Sequence, residues 1–170
     1  MERRSAMLSY MSHLPRKMLL LHDHDAIAEL VLHDLCSERC FNLNKAVYLV
    51  DNPDFNCMKG VAGFSRDETF KEGERMWDDP HAFTQYIKNA PFNQKVRNIQ
   101  LCSLKGGETD NDTFVRTVAD QCAIEHPKCY TWDMKHNNRG VFIYEQPTDE
   151  STVTECLPNG VCLLSFCPIT

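Results

Sequence analysis

No apolar run in this chain approaches the ~18–20 residues that a membrane-spanning helix needs. Met18–Leu21, the one candidate, is short even for a secretory-signal core, and His22-Asp23-His24-Asp25 stops it. A basic excess is missing too. Eighteen Lys and Arg stand against 24 Asp and Glu, a formal charge of −6. That balance argues against a general nucleic-acid binder, which shows a positive field. The one basic cluster, Arg3, Arg4, Arg16 and Lys17, has little aromatic company. Low-complexity tracts are absent, and no Pro/Gly/Ser linker divides the 170 residues, so a single domain over 1–170 is expected. With no secretory segment the expected compartment is the reducing cytoplasm, and no membrane partner is expected. There the nine cysteines read as thiols, metal ligands or redox groups rather than a disulfide framework. An odd number also forbids complete pairing within one chain.

Hydrophobic periodicity supplies an element order. Residues 1–16 lack a clear period and read as a loose arm. Asp23 or Asp25 is a suitable N-cap for a helix over Ala26–Cys40, whose Ile27, Leu30, Val31 and Leu35 gather on one face. Lys45–Asp51 and Met58–Phe64 read as strands joined by the turn residues Asn52-Pro53-Asp54. Ser65 with Glu68 forms a capping box ahead of a charged helix. Asp79-Pro80 opens another, with Ala82, Phe83, Tyr86, Ile87 and Ala90 as its stripe. Val96–Leu104 reads as a strand and 105–110 as a polar loop. Asp110 or Asp112 caps a helix carrying Phe114, Val118 and Cys122, which Pro127 stops. The remainder reads as an antiparallel meander over Cys129–Met134, Val141–Glu145, Ser151–Cys156 and Val161–Phe166, with Asn159-Gly160 as a hairpin turn. The order strand, helix, hairpin occurs twice, which fits a duplicated unit, although the two copies share no convincing residue matches. The fold class that follows is α+β: an antiparallel or mixed sheet with a C-terminal antiparallel meander, packed against three to four helices.

Chemistry-bearing side chains concentrate on the first long helix. Glu29, His33, Cys36 and Cys40 fall on one arc opposite the apolar stripe, and all four residue types bind Zn²⁺ or iron when deprotonated. Together they span roughly 16 Å at about 1.5 Å per residue, too far for one ion. A site would combine a neighbouring pair with His22, His24 or Cys57. The alternative is a solvated helix face with the two cysteines packed under a neighbouring segment.

Other sets compete with this one. Cys102 precedes a Gly106-Gly107 loop and is the natural thiol nucleophile, with His126 and His136 as bases available in sequence. If both faces of its strand are covered, Cys102 is simply core. Cys156 and Cys162 oppose one another only if the last hairpin has a three-residue loop. Trp77, Phe83 and Tyr86, or Tyr130, Trp132 and Phe142, could line a ligand pocket, or equally fill a core. Asp23-His24-Asp25, after an apolar segment and before a helix, resembles the start of a haloacid-dehalogenase-type phosphatase over about eight residues. That resemblance implies a phosphohydrolase with one Asp as nucleophile and the other as acid/base, and Asp78-Asp79 as its late acidic pair.

Three function classes follow: a cytosolic metal- or thiol-dependent protein with zinc or iron as cofactor, a non-catalytic regulatory or interaction domain with structural cysteines, and a phosphohydrolase using Asp23/Asp25. The choice between enzyme and binder stays open, as do a homo-oligomer and the identity of any small-molecule ligand.

Overall fold

The structure, a computed structural model, describes residues 1–68, 70, 76–104, 111–148 and 150–169. Five strands form one antiparallel sheet: β1 (Lys45–Asn52), β2 (Cys57–Ser65), β3 (Gln100–Leu101), β4 (Lys128–Asp133) and β5 (Arg139–Glu145), in the order β3-β2-β1-β5-β4. The helices are α1 (Glu2–Ser12), α2 (Leu14–Leu20), α3 (Ile27–Cys36), α4 (Pro80–Asn89), α5 (Pro91–Arg97), α6 (Asn111–Gln121) and α7 (Ser151–Val161). The α+β class stands. Among the described residues no helix is long and apolar enough to cross a membrane.

Central strand β1 is covered on both faces, as its nearly unbroken apolar run requires. Ala46, Tyr48 and Val50 point into a core shared with α1, α2, α3, α4 and α7. Val47 and Leu49 point the other way, into a smaller core with α5 and α6. The result is three layers, with the sheet in the middle and α3 the helix buried along its entire length.

Strand β2 carries a bulge that positions α5. Tyr48 pairs with Ala62 but Leu49 pairs with Gly60, so Val61 is an extra residue. Without that residue Gly60 and Gly63, three apart, would face opposite sides. With it both lie under α5. A Cβ at Gly60 would stand 1.8 Å from the Val96 carbonyl oxygen, and one at Gly63 would stand 2.5 Å from Val96 Cγ2. The Asn93 side chain on α5 then accepts a hydrogen bond from the Gly63 N–H at 2.9 Å, satisfying the strand where β3 no longer pairs with it.

Several expectations change in detail. Residues 1–16 are not a loose arm. Met7, Met11, Leu14 and Met18 sit at 4-3-4 spacing and are all buried, so the segment folds as α1 and α2. The 151–166 segment is not a hairpin but α7 and a 3₁₀ turn (Cys162–Phe166), because Val153, Cys156, Leu157, Gly160, Val161 and Leu164 bury at helical spacing. Gly160 serves close packing there: a Cβ would meet Phe41, Leu35 and Met11 at 2.6–2.9 Å. Of the expected Val96–Leu104 strand only Gln100–Leu101 is extended and paired, since Pro91 starts α5 as well as ending α4. The helix expected from Ala26 ends at Cys36. The Asp79 cap, whose carboxylate accepts from Ala82 N–H at 3.1 Å, and α6 are where expected. The 105–110 loop and most of the charged helix expected after Ser65 lie outside the described residues.

Gly60→Ala should destabilise the protein by at least about 2 kcal/mol, the scale of a forced overpacking. Because its clash is with backbone, Val96→Ala should not relieve it, whereas the same second change should recover much of the loss from Gly63→Ala. Urea-denaturation midpoints for the four variants check this; equal rescue at both glycines would overturn the account.

Candidate functional site

Burying α3 on every side forces partners on its polar residues. Glu29, His33 and Asp34 are 2–5% exposed. Glu29 Oε1 lies 2.6 Å from Arg97 Nη1 on α5. Asp34 accepts hydrogen bonds from Tyr10 Oη on α1 and from Trp77 Nε1 at 2.9 Å, with Lys17 Nζ of α2 3.6 Å away. That lysine lies over both the Tyr10 and Trp77 rings, 5.8 and 5.5 Å from their centroids. Burial, reinforced by the bond to Asp34, pushes the Tyr10 hydroxyl above its ordinary pKa, so it donates throughout the physiological range.

His33 is different. Its ring is wedged edge-on between Phe64 and Phe83, with centroids 5.0 and 5.3 Å away, and hydrogen-bonds the Gly63 backbone. Its Nε2 has no partner among the described residues. A carbonyl only accepts, so the bonded nitrogen is Nδ1–H, and the neutral ring presents Nε2 as a bare acceptor. Burial drives the His33 pKa from its ordinary value of 6.5 down to about 4, opposed by the bond to Gly63.

A cavity of about 440 Å³ opens at this end of α3. His33, Asp34 and Cys36 line its floor, and Tyr10, Phe64, Phe70, Met76 and Trp77 supply most of its apolar wall. Lys17, Arg39 and Arg66 bring positive charge, and Glu38 adds a second carboxylate. Arg66 donates to the Asn42 side-chain oxygen and the Leu43 carbonyl; among the described residues those acceptors are neutral, leaving its charge unpaired. The lining is apolar, with a few convergent polar groups and shifted pKa values at Tyr10, His33 and Cys36, a composition that small-molecule sites share. A second concavity of about 640 Å³ is lined by Asp25, Glu29, Asn93 and Arg97. Its buried charged and amide groups already hold one another or the backbone.

Apart from Cys36 and Cys40, whose charges interact, the metal candidates disperse. His22 is exposed beside Asp23 (3.1 Å), and His24 sits 3.3 Å from Thr84 Oγ1. Glu29 is engaged with Arg97. Cys57 lies at the hairpin end of β2, 3.8 Å from Gln100 Nε2. Cys40 lies beyond the end of α3, buried like Cys36. Among the described residues no three His, Cys, Asp or Glu side chains are grouped to hold an ion. The solvated helix face is a correction: Glu29, His33, Cys36 and Cys40 are all buried. Burial raises the Cys36 thiol well above its usual range and the Cys40 thiol to about 12, so both are protonated and unreactive. Met18–Leu21, ahead of Asp23 and Asp25, is helical or turn rather than strand, and the two aspartates are exposed on the connection to α3.

Of the aromatic sets, Trp77 lines the cavity while Phe83 backs His33. Arg66, Lys17 and Tyr10 were not anticipated, because they reach the site from elements far apart in sequence. Of its lining, the sequence signalled His33 and Cys36, through the polar arc on α3, and Trp77, through the aromatic set. No protein-family model matches the chain, and neither a curated protein nor a solved structure matches it.

Neutral burial of His33 makes stability pH-dependent. The unfolded chain takes up a proton near pH 6.5 and the folded one only near pH 4, so stability is full above about 6.5 and is lost as pH falls toward 4. The loss from this residue is on the order of 3 kcal/mol. His33→Gln, which can still donate to Gly63, should flatten that part of the profile. Urea unfolding from pH 4 to 7.5 tests it, and an unchanged slope in the variant would assign the dependence to another group.

Proposed function

We propose that this chain binds a small organic molecule in the cavity at the C-terminal end of α3, as a ligand-responsive or carrier protein. The reading rests on one observation above all: His33 Nε2, buried and without a partner among the described residues, at the floor of an aromatic-walled cavity. A buried acceptor left bare costs about 1–3 kcal/mol, and a ligand that supplies its donor removes that cost. The ligand class follows from the walls. It has a flat apolar body to lie against Trp77, Phe70 and Phe64, a hydroxyl or N–H for His33, and an anionic group for Arg66.

Within the three functional classes this is closest to the non-catalytic one. A pKa near 4 makes His33 a weak base at neutral pH, and the adjacent Cys36 thiol is protonated, so the cavity is better suited to binding than to proton abstraction or thiol chemistry. Nine free cysteines are in keeping with a reducing, cytoplasmic setting, and the acidic balance with a partner other than nucleic acid. A metal-dependent role has less support, since Glu29 is committed to Arg97 and no three candidate side chains are grouped among the described residues.

Native mass spectrometry of gently purified protein, with a thermal-shift panel of aromatic and aliphatic hydroxy-acids, amines and neutral analogues, tests the reading. Anionic members should raise the melting temperature by several degrees. Arg66→Gln and Trp77→Ala should each weaken that binding about tenfold or more, and His22→Ala should leave it unchanged. Binding confined to amines, or indifferent to Arg66 and Trp77, would defeat the proposal.

A further inference from the structure

The pairing of β2 with β3 places two cysteines opposite one another. Met58 pairs with Leu101 and Lys59 with Gln100. One further step along this antiparallel register sets Cys57 against Cys102. The side chains agree with that extension. Gln100 and Lys59 are exposed on one face, while Met58 is buried and Leu101 half-buried on the other. Alternation puts Cys57 and Cys102 on the exposed face. Cys102 is exposed, Cys57 is half-buried, and Gln100 Nε2 reaches to 3.8 Å from Cys57 Sγ across the same face.

The hydrogen-bond phase decides whether a bridge fits. Gly60 N–H donates to the Ile99 carbonyl at 3.0 Å, so 60/99 is a hydrogen-bonded pair. Alternation then makes 59/100 non-bonded, 58/101 bonded and 57/102 non-bonded. Non-bonded pairs are the closer kind, with Cα atoms about 4.5 Å apart. That falls within the ~4.4–6.8 Å range a disulfide accepts.

We propose that Cys57 and Cys102 are an oxidation site that closes a cross-strand disulfide when the protein meets a peroxide. One thiolate attacks a peroxide oxygen, breaking the O–O bond and giving a sulfenic acid and one water. The second thiol attacks that sulfur, the S–O bond breaks, and a second water leaves. Two thiols and one hydrogen peroxide thus give one disulfide and two waters, and a thiol reductant reverses it. The bond would fasten a two-residue edge strand to the sheet. It would also restrain the 102–104 segment, where Leu104 N–H donates to the buried Asp51 carboxylate at 3.3 Å. Of the other seven cysteines, Cys36, Cys40, Cys122, Cys156 and Cys167 are buried; Cys129 and Cys162 are exposed, but Cys129 pairs with Ile143 and Cys162 lies in the 3₁₀ turn after α7.

The test treats the whole protein with a slight excess of hydrogen peroxide, alkylates the remaining thiols, and maps tryptic peptides without reduction. The expected product is one cross-linked pair joining Cys57 to Cys102, lighter by two hydrogens than the separate peptides, lost in Cys57→Ser and in Cys102→Ser, and reversed by dithiothreitol. Oxidation should also raise the melting temperature of the parent protein and leave that of either serine variant unmoved. Full alkylation at both positions, preferential linkage of either to Cys129 or Cys162, or a concentration-dependent dimer through Cys102 would each overturn the proposal.

Discussion

The enclosure of α3 is the constraint on which the rest depends. All ten of its residues are buried, yet three of them are Glu29, His33 and Asp34. Burying such groups without partners costs several kcal/mol each, so the surrounding elements must deliver partners to fixed points. Arg97 of α5 meets Glu29, the β2 backbone at Gly63 meets His33, and Tyr10, Lys17 and Trp77 meet Asp34. Each polar residue of the central helix therefore holds a different part of the outer structure, while the Leu and Val positions between them supply the apolar burial. Such polar contacts contribute little net stability, because desolvation of the buried groups offsets much of the attraction.

The Gly60/Gly63 pair extends the same logic to the other face. By admitting α5 closely it brings Asn93 to the Gly63 N–H, while His33 approaches the same residue's carbonyl from the opposite layer. One residue of β2, past the end of β3, is satisfied by side chains from both layers where another strand would otherwise pair. Position 63 thus ties the two cores together, with Asn93 of α5 and His33 of α3 meeting the same residue.

What was legible in the sequence follows from which signals are local. Strands β1, β2 and β5, the Asp79 cap and the α6 stripe rest on composition and spacing within one segment, and they read correctly. The N-terminal helices were missed because their buried stripe is mostly methionine among charged neighbours, so the period is weak until α7 and α3 are present to cover it. The Asn159-Gly160 dipeptide read as a turn because the need for a small residue there comes from Phe41, Leu35 and Met11, which are distant in sequence. His33 and Cys36 were picked out, but as part of an exposed arc. Periodicity assigns a polar residue to the outer side of a helix, and it cannot register a helix that has no outer side.

The cavity has an internal polarity that follows from the same architecture. Its floor is the C-terminal end of α3, where the helix dipole carries partial negative charge, and Asp34 adds a full one. Lys17 answers Asp34 and is held there by two aromatic rings, so its charge is largely spent within the protein. Arg66 stands apart from this arrangement, fixed at the strand end by Asn42 and Leu43. A ligand lying between them experiences a field directed from Arg66 toward the helix end. For the proposed ligand this favours an anionic group at the arginine and a hydrogen-bond donor at the floor, where His33 Nε2 has no partner among the described residues. Reversing the proposed ligand would set its anion against Asp34 and leave His33 without a donor, so the proposed binding mode requires one orientation.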